Sequence, residues 1–111
     1  MQITSRQVSG VTVLDMKGKI TIGVGDVQLR EAVHEALESG AKNILLNLAS
    51  VSVIDSAGIG ELVSSYTHVA NRGGKLKLVN LPPKITYMLQ VTQLISVFEV
   101  FDDEEEALAS F

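Results

Sequence analysis

The run Asn43-Ile44-Leu45-Leu46-Asn47-Leu48-Ala49-Ser50-Val51-Ser52-Val53-Ile54-Asp55-Ser56-Ala57-Gly58-Ile59-Gly60-Glu61-Leu62 decides the fold. Asn43–Leu48 is a nearly continuous apolar run, as in a strand covered on both faces, and Val51–Ile54 extends it toward Asp55 and Ser56. Beyond Ser56 the apolar spacing becomes that of a helix. Ile59, Leu62, Val63, Tyr66, Val69 and Ala70 face inward, and Gly73-Gly74 ends the element.

The alternation continues in both directions. Ile3–Val8 and Val11–Lys17, separated by Ser9-Gly10, read as a hairpin. Gly18 and the loop Ile22-Gly23-Val24-Gly25 punctuate the chain. Asp26 is the expected N-cap of a helix to Ser39, with Leu29, Ala32, Val33, Ala36 and Leu37 as its buried stripe and Gly40 as its stop. Downstream, Lys75–Asn80 is a strand in which Leu76 and Leu78 alternate with Lys75 and Lys77. Pro82-Pro83 opens a helix carrying Ile85, Met88, Leu89 and Leu94, Val97–Phe101 is a last short strand, and a terminal helix runs from Asp103. The order ββαβαβαβα predicts an α/β fold: a mixed, mostly parallel β-sheet with packed helices and right-handed crossovers, in one domain over residues 1–111. These patterns leave the strand order open.

A chain of 111 residues holds one core and not two. With 46% hydrophobic and 20% charged residues it is an ordinary globular mixture, which excludes disorder. The absence of cysteine removes a disulfide framework, a thiolate zinc site and a cysteine nucleophile, and fits a reducing cytoplasm. Met1–Arg6 lacks the apolar stretch of a secretory signal. The most apolar stretch, Ile44–Ile54, is interrupted by Asn47, Ser50 and Ser52 and falls short of the ~20 residues of a membrane helix, so no membrane insertion is expected.

The net charge of −4 is set by one segment, since Asp102, Asp103, Glu104, Glu105 and Glu106 supply five of the thirteen acids. The rest of the chain, with nine basic and eight acidic residues, lacks the basic excess that a nucleic acid demands. The acidic run reads as helix N-terminal charge favoured by the dipole. Between Leu62 and Phe98 the only formal charges are Arg72, Lys75, Lys77 and Lys84, expected to be solvated.

Enzyme readings fail on spacing. Gly23-Val24-Gly25 begins like a dinucleotide loop, but Gln28 stands where the third glycine belongs, and no phosphate-loop Lys-Ser/Thr pair exists. His34 and His68 lie on different helices without i+4 ligand partners, so they read as surface or packing residues, with no metal or cofactor expected. Ile54-Asp55-Ser56-Ala57-Gly58 half resembles a nucleophile elbow, but Ile54 replaces its first glycine. His68 stands twelve residues along the same helix, roughly 18 Å from Ser56 at ~1.5 Å per residue, too far for a catalytic base. The plain alternative for Ser56 is a helix N-cap. Against it stand Gly58 and Gly60, each costing up to ~1 kcal/mol relative to alanine in a helix. A helix start so bare of side chains points to close approach by something else. It also lies at the carboxyl end of a strand, where open α/β sheets bind their partners.

Val53-Ile54-Asp55-Ser56-Ala57-Gly58-Ile59-Gly60-Glu61-Leu62 resembles the Asp-Ser-x-Gly-Leu/Ile-Gly motif of the STAS-domain anti-sigma factor antagonist family. Gly18-Lys19-Ile20, Leu46-Asn47-Leu48, Gly73-Gly74 with Leu76 and Leu78, and Leu89, Thr92, Leu94 and Val97-Phe98 extend the resemblance over nearly the whole chain. It implies a cytoplasmic bacterial binding module for partner switching in transcription regulation, not an enzyme. In that family the serine after the aspartate is phosphorylated by the partner, an anti-sigma factor that is also a serine kinase, and a PPM-type serine phosphatase acts on the phosphorylated form. The acceptor carried over is Ser56, and Ala57 replaces the Ser or Thr that many members have next to it. Asp55, Ser56, Ala57, Gly58 and Gly60 are the expected partner-binding residues. Glu61 and Ser65 join them from the stripe Gly58, Glu61, Ser65, His68 and Arg72, expected on the non-core side of the helix. The alternative keeps the fold without phosphorylation: a constitutive scaffold or subunit of a larger assembly, such as a stressosome-like or lipid-transport one.

Overall fold

A computed structural model describes residues 1–111. Its elements are β1 (Gln2–Val8), β2 (Val11–Ile20), α1 (Gly25–Glu38), β3 (Asn43–Ile54), α2 (Ser56–Asn71), β4 (Lys75–Val79), α3 (Pro83–Val91), a 3-10 turn at Ile95–Val97, β5 (Val100–Phe101) and α4 (Glu104–Ala109). The strands lie in one sheet in the order β1-β2-β3-β4-β5. β1 is antiparallel to β2, and every other pair is parallel.

This order has a physical consequence. When consecutive parallel strands step across a sheet in one direction, right-handed crossovers place all their helices on one face. Leu29, Val33 and Leu37 of α1, Ile59, Leu62 and Val69 of α2, and Ile85 and Leu89 of α3 accordingly share one core with Leu14, Met16, Ile44, Leu46, Leu48, Leu76 and Leu78 of the sheet. The residues of opposite parity, Val11, Val13, Leu45 and Val79, form a smaller cluster beneath Ala107 of α4, with Phe101, Leu108 and Phe111 packed around it. The unbroken run Ile44-Leu45-Leu46 is therefore apolar because both of its faces are covered.

Short α4 is held at both ends. Asp103 caps it by accepting from the Glu106 N–H at 3.1 Å, and Glu104 pairs with Arg6 of β1. Arg6 also bonds Asp15 of β2 (Nε to Oδ2, 2.6 Å), and Asp15 accepts from Asn47 of β3 (2.8 Å), so a polar row crosses the sheet beside α4. The Arg6 guanidinium, with help from Asn47, holds the Asp15 carboxyl below its ordinary value. At the other end Lys77 Nζ donates to the Ser110 carbonyl (2.8 Å) and hydroxyl (2.9 Å) and pairs with Glu99 (2.8 Å). The Phe111 ring lies 4.8 Å from this ammonium. Lys77 is only 4% exposed, which corrects the expectation that it is solvated; α4 and the chain end close over it.

Other boundaries moved for identifiable reasons. β2 runs three residues past Lys17, because Gly18 (φ 118) absorbs a register irregularity against β3 instead of ending the strand. β4 stops at Val79 because Asn80 turns left-handed (φ 59). α1 starts at Gly25, with Asp26 inside its first turn accepting from the Val27 N–H and not acting as N-cap. The expected strand Val97–Phe101 shrinks to Val100–Phe101, because the chain first makes the 3-10 turn that puts Phe98 into the core against Tyr66, ring centroids 5.6 Å apart. Leu94 lies beyond the end of α3, and Ala70 of α2 is exposed.

Replacing Lys77 with alanine should cost about 2 kcal/mol, the scale of charge-assisted hydrogen bonds, whereas Lys75→Ala, two residues away and exposed, should change stability by less than about 0.5 kcal/mol. Urea unfolding of the two variants distinguishes them; equal costs would mean that the Lys77 clasp does not hold α4.

Candidate functional site

The carboxyl ends of β2 and β3 lie side by side, with Ile20 paired to Ile54, and each strand passes into a helix: β2 through Thr21–Val24 into α1, β3 through Asp55 into α2. The main chain of Ile20 sits against both helix starts. Its carbonyl accepts from the Asp55 N–H at 3.4 Å. A Cβ on Gly58 would lie 2.1 Å from that same oxygen, and one on Gly25 would lie 2.1 Å from the Lys19 oxygen and 2.8 Å from Ile20 Cα. Gly25 and Gly58 are therefore required by the fold itself, as the only residues small enough to let β2 touch both helices. Gly23 turns at φ 90, which completes the reason for the glycine-rich loop.

Asp55, not Ser56, is the N-cap. Its Oδ1 accepts from the Gly58 N–H at 2.9 Å, capping α2, while Oδ2 accepts from the Ile22 N–H at 3.0 Å and ties down the β2–α1 loop. The Ile22 N–H first, then that of Gly58, hold this carboxyl below its ordinary value of 3.8. One side chain thus joins the two loops at the end of the sheet. Ser56 becomes the first helical residue, exposed, with Ala57 half-buried beside it.

Gly60 differs from Gly58. It is exposed, and a Cβ there would meet nothing within 4 Å, so packing within the chain gives no reason for a glycine. Two apolar side chains on the neighbouring loop extend the bare surface: Ile22 is 74% exposed and Val24 60%. Sequence reasoning passed over both. Their signal was available, because two branched apolar residues alternating with glycine in a loop match neither a strand nor a helix stripe.

The stripe expected on the outer side of α2 instead packs against α1. Glu61, 7% exposed, pairs with Arg30 of α1 at 2.9 Å, and Ser65, 3% exposed, donates toward Glu61 at 3.4 Å. His68 stands near His34 of α1, ring centroids 6.0 Å apart, and Arg72 reaches Glu38 at 3.6 Å. Glu61 and Ser65 are therefore turned away from solvent by the neighbouring helix, which the spacing along α2 alone could not reveal. His34 stays exposed on α1, while His68 is half-buried between the two helices.

Comparison with known proteins places this geometry in a family. The STAS domain family model matches residues 2–107. The anti-sigma-B factor antagonist of Bacillus subtilis is 31% identical over 87 residues, spanning 78% of each chain. A crystal structure of a candidate anti-sigma factor antagonist from Thermotoga maritima superimposes with a TM-score of 0.88 at 25% identity, covering 97% of this chain and 92% of that one. The Bacillus cell fate determinant SpoIIAA in its phosphorylated form shares the fold, with a TM-score of 0.75 at 22% identity over 98% of each chain.

Gly58→Ala should destabilise the protein by about 3 kcal/mol through backbone overlap, whereas Gly60→Ala should stabilise it by about 1 kcal/mol through helix propensity alone; thermal unfolding of the pair gives opposite signs if the packing is right. Folding favours the ionised Asp55, so its contribution to stability is complete above 3.8 and is lost as pH falls through the lower folded value. In an NMR titration the Ile22 and Gly58 amides should move together, with one midpoint below 3.8. Separate midpoints would show that Asp55 does not hold both.

Proposed function

This chain belongs to the STAS-domain family of anti-sigma factor antagonists, and we propose that it works as one. In this reading it binds an anti-sigma factor that is also a serine kinase, and phosphorylation of Ser56 by that kinase switches the binding off. A PPM-type phosphatase resets the switch. The observation that carries this reading is the placement of Ser56, an exposed hydroxyl at the first position of a helix whose surface there is bare of bulk.

The chemistry follows from that position. A phosphoserine brings about −1.5 to −2 charges and three acceptor oxygens. At a helix N-terminus the dipole and free amides accommodate an anion, so the domain stays folded when modified. For a partner pressed against Asp55, Ser56, Ala57 and Gly60, the same group adds bulk and like charge beside the Asp55 carboxylate. The exposed side chains of Ile22 and Val24 supply the apolar part of this contact. Gly58 contributes from behind by letting β2 and α2 close, and Glu61 and Ser65 by fixing α2 against α1. The protein itself acts as a competitor and substrate, with no catalytic step of its own. The phosphorylated state of the Bacillus structure and the anti-sigma-B antagonism of the B. subtilis relative support this reading.

The test is calorimetric binding to the cognate anti-sigma factor, with mass-spectrometric mapping of phosphate added by it in Mg-ATP. Ser56→Asp should bind at least about tenfold more weakly than the parent, and the phosphoryl group should fall on Ser56 and vanish in Ser56→Ala. Gly60→Ala, though more stable, should also bind more weakly. Equal affinity of Ser56→Asp, with Ser56 unmodified by an active kinase, would replace this reading with a constitutive scaffold.

A further inference from the structure

The two edges of the sheet are unlike. β5 offers two residues, whereas β1 offers seven, paired to β2 without a break from Gln2↔Lys17 to Val8↔Val11. A long regular edge is a template for another strand, and proteins normally blunt it with proline, a bulge, lysines or a covering loop. β1 contains no proline, lysine or bulge. Its single charge, Arg6, is held by Asp15 and Glu104.

The hairpin turn identifies which main-chain groups are free. Ser9 and Gly10 both have positive φ (52 and 79), the two-residue turn in which the flanking residues, Val8 and Val11, exchange both hydrogen bonds. Bonded pairs alternate along an antiparallel ladder, so Arg6, Thr4 and Gln2 also bond β2. Ile3, Ser5 and Gln7 then direct their N–H and C=O groups at the open edge. Their side chains, on the helix-bearing face, line a groove of about 590 Å³ against Ala32 and Ala36 of α1.

We infer that this edge pairs with the same edge of a second copy of the chain, antiparallel about a two-fold axis at Ser5. That register sets Ser5 opposite Ser5 and Ile3 opposite Gln7, matching free donors to free acceptors in about six main-chain hydrogen bonds. Thr4 falls opposite Arg6 and Gln2 opposite Val8, so no like charges meet. The two sheets become one of ten strands, and the two grooves adjoin at the axis. Ser56 lies at the end of β3, two strands in from the edge, so both copies keep it open and the dimer presents two partner sites. Edge pairing buries less than the ~1,200 Å² lower bound of a standard interface, so the association is weak and concentration-dependent.

The inference stands independently of any anti-sigma factor and is tested on the chain alone. Sedimentation equilibrium from about 10 μM to 1 mM, the range suited to a weak interface, should show the mass rising from 11.9 kDa toward its double. Ser5→Pro removes the central outward donor at an edge position that tolerates proline, and Ser5→Lys sets two like charges opposite each other. Each should weaken the dimer at least about tenfold while leaving circular dichroism unchanged, and Ser5→Lys guards against a folding defect in Ser5→Pro. A mass fixed at 11.9 kDa throughout, or a dimer indifferent to Ser5→Lys, would overturn it.

Discussion

The contact on which the site depends is between main chains: the end of β2 lies against the first turns of both α1 and α2, with glycine at each point of contact. Main chains come this close only where no Cβ intervenes. Because they do, the Asp55 N–H reaches the Ile20 carbonyl, and the Asp55 carboxylate reaches the Ile22 N–H on one side and the Gly58 N–H on the other. The aspartate is thereby committed to the backbone, and the serine after it, left with no capping duty, faces outward at the head of the helix. Exposure of Ser56 is thus a result of how the strand ends are packed.

The rest of the molecule supports that end of the sheet from one side. Three helices cover one face and share a single core, so α2 is wedged between sheet and α1. Its side toward α1 is fixed by the Arg30–Glu61 pair one turn into the helix, which holds the start of α2 in position relative to α1. The opposite face is closed by one short helix. A helix of six residues is too short to persist alone. It remains because Arg6 and Lys77, cations rooted in two well-separated strands, bond its two ends while Ala107 and Leu108 cover the small cluster beneath.

Much of this was legible in the residues. Helical and strand spacings located the five strands and four α-helices, though not the 3-10 turn before β5, since the period of a buried stripe is a property of the local backbone. The Asp55-Ser56-Ala57-Gly58-Ile59-Gly60 segment marked the site, because its lack of bulk contradicts ordinary helix propensity. The residues misread were those whose environment comes from another element. Lys77 alternates correctly with leucine yet is buried, because α4 returns over it from 33 residues away. Glu61 and Ser65 follow polar helical spacing yet face α1, and only the path of α1 across the sheet decides that. Gly58 and Gly60 look equivalent in sequence, and the structure separates them by what stands in front of each.

By itself, then, the sequence determined the order of elements, the apolar face of each and the bare segment that carries Ser56, because these follow from periodicity and from the conformational cost of glycine. The order of strands in the sheet, the division of labour between Asp55 and Ser56, and the burial of Lys77, Glu61 and Ser65 were decided only by tertiary structure. They depend on which main-chain groups of distant segments come within hydrogen-bonding distance, and no local pattern encodes that distance.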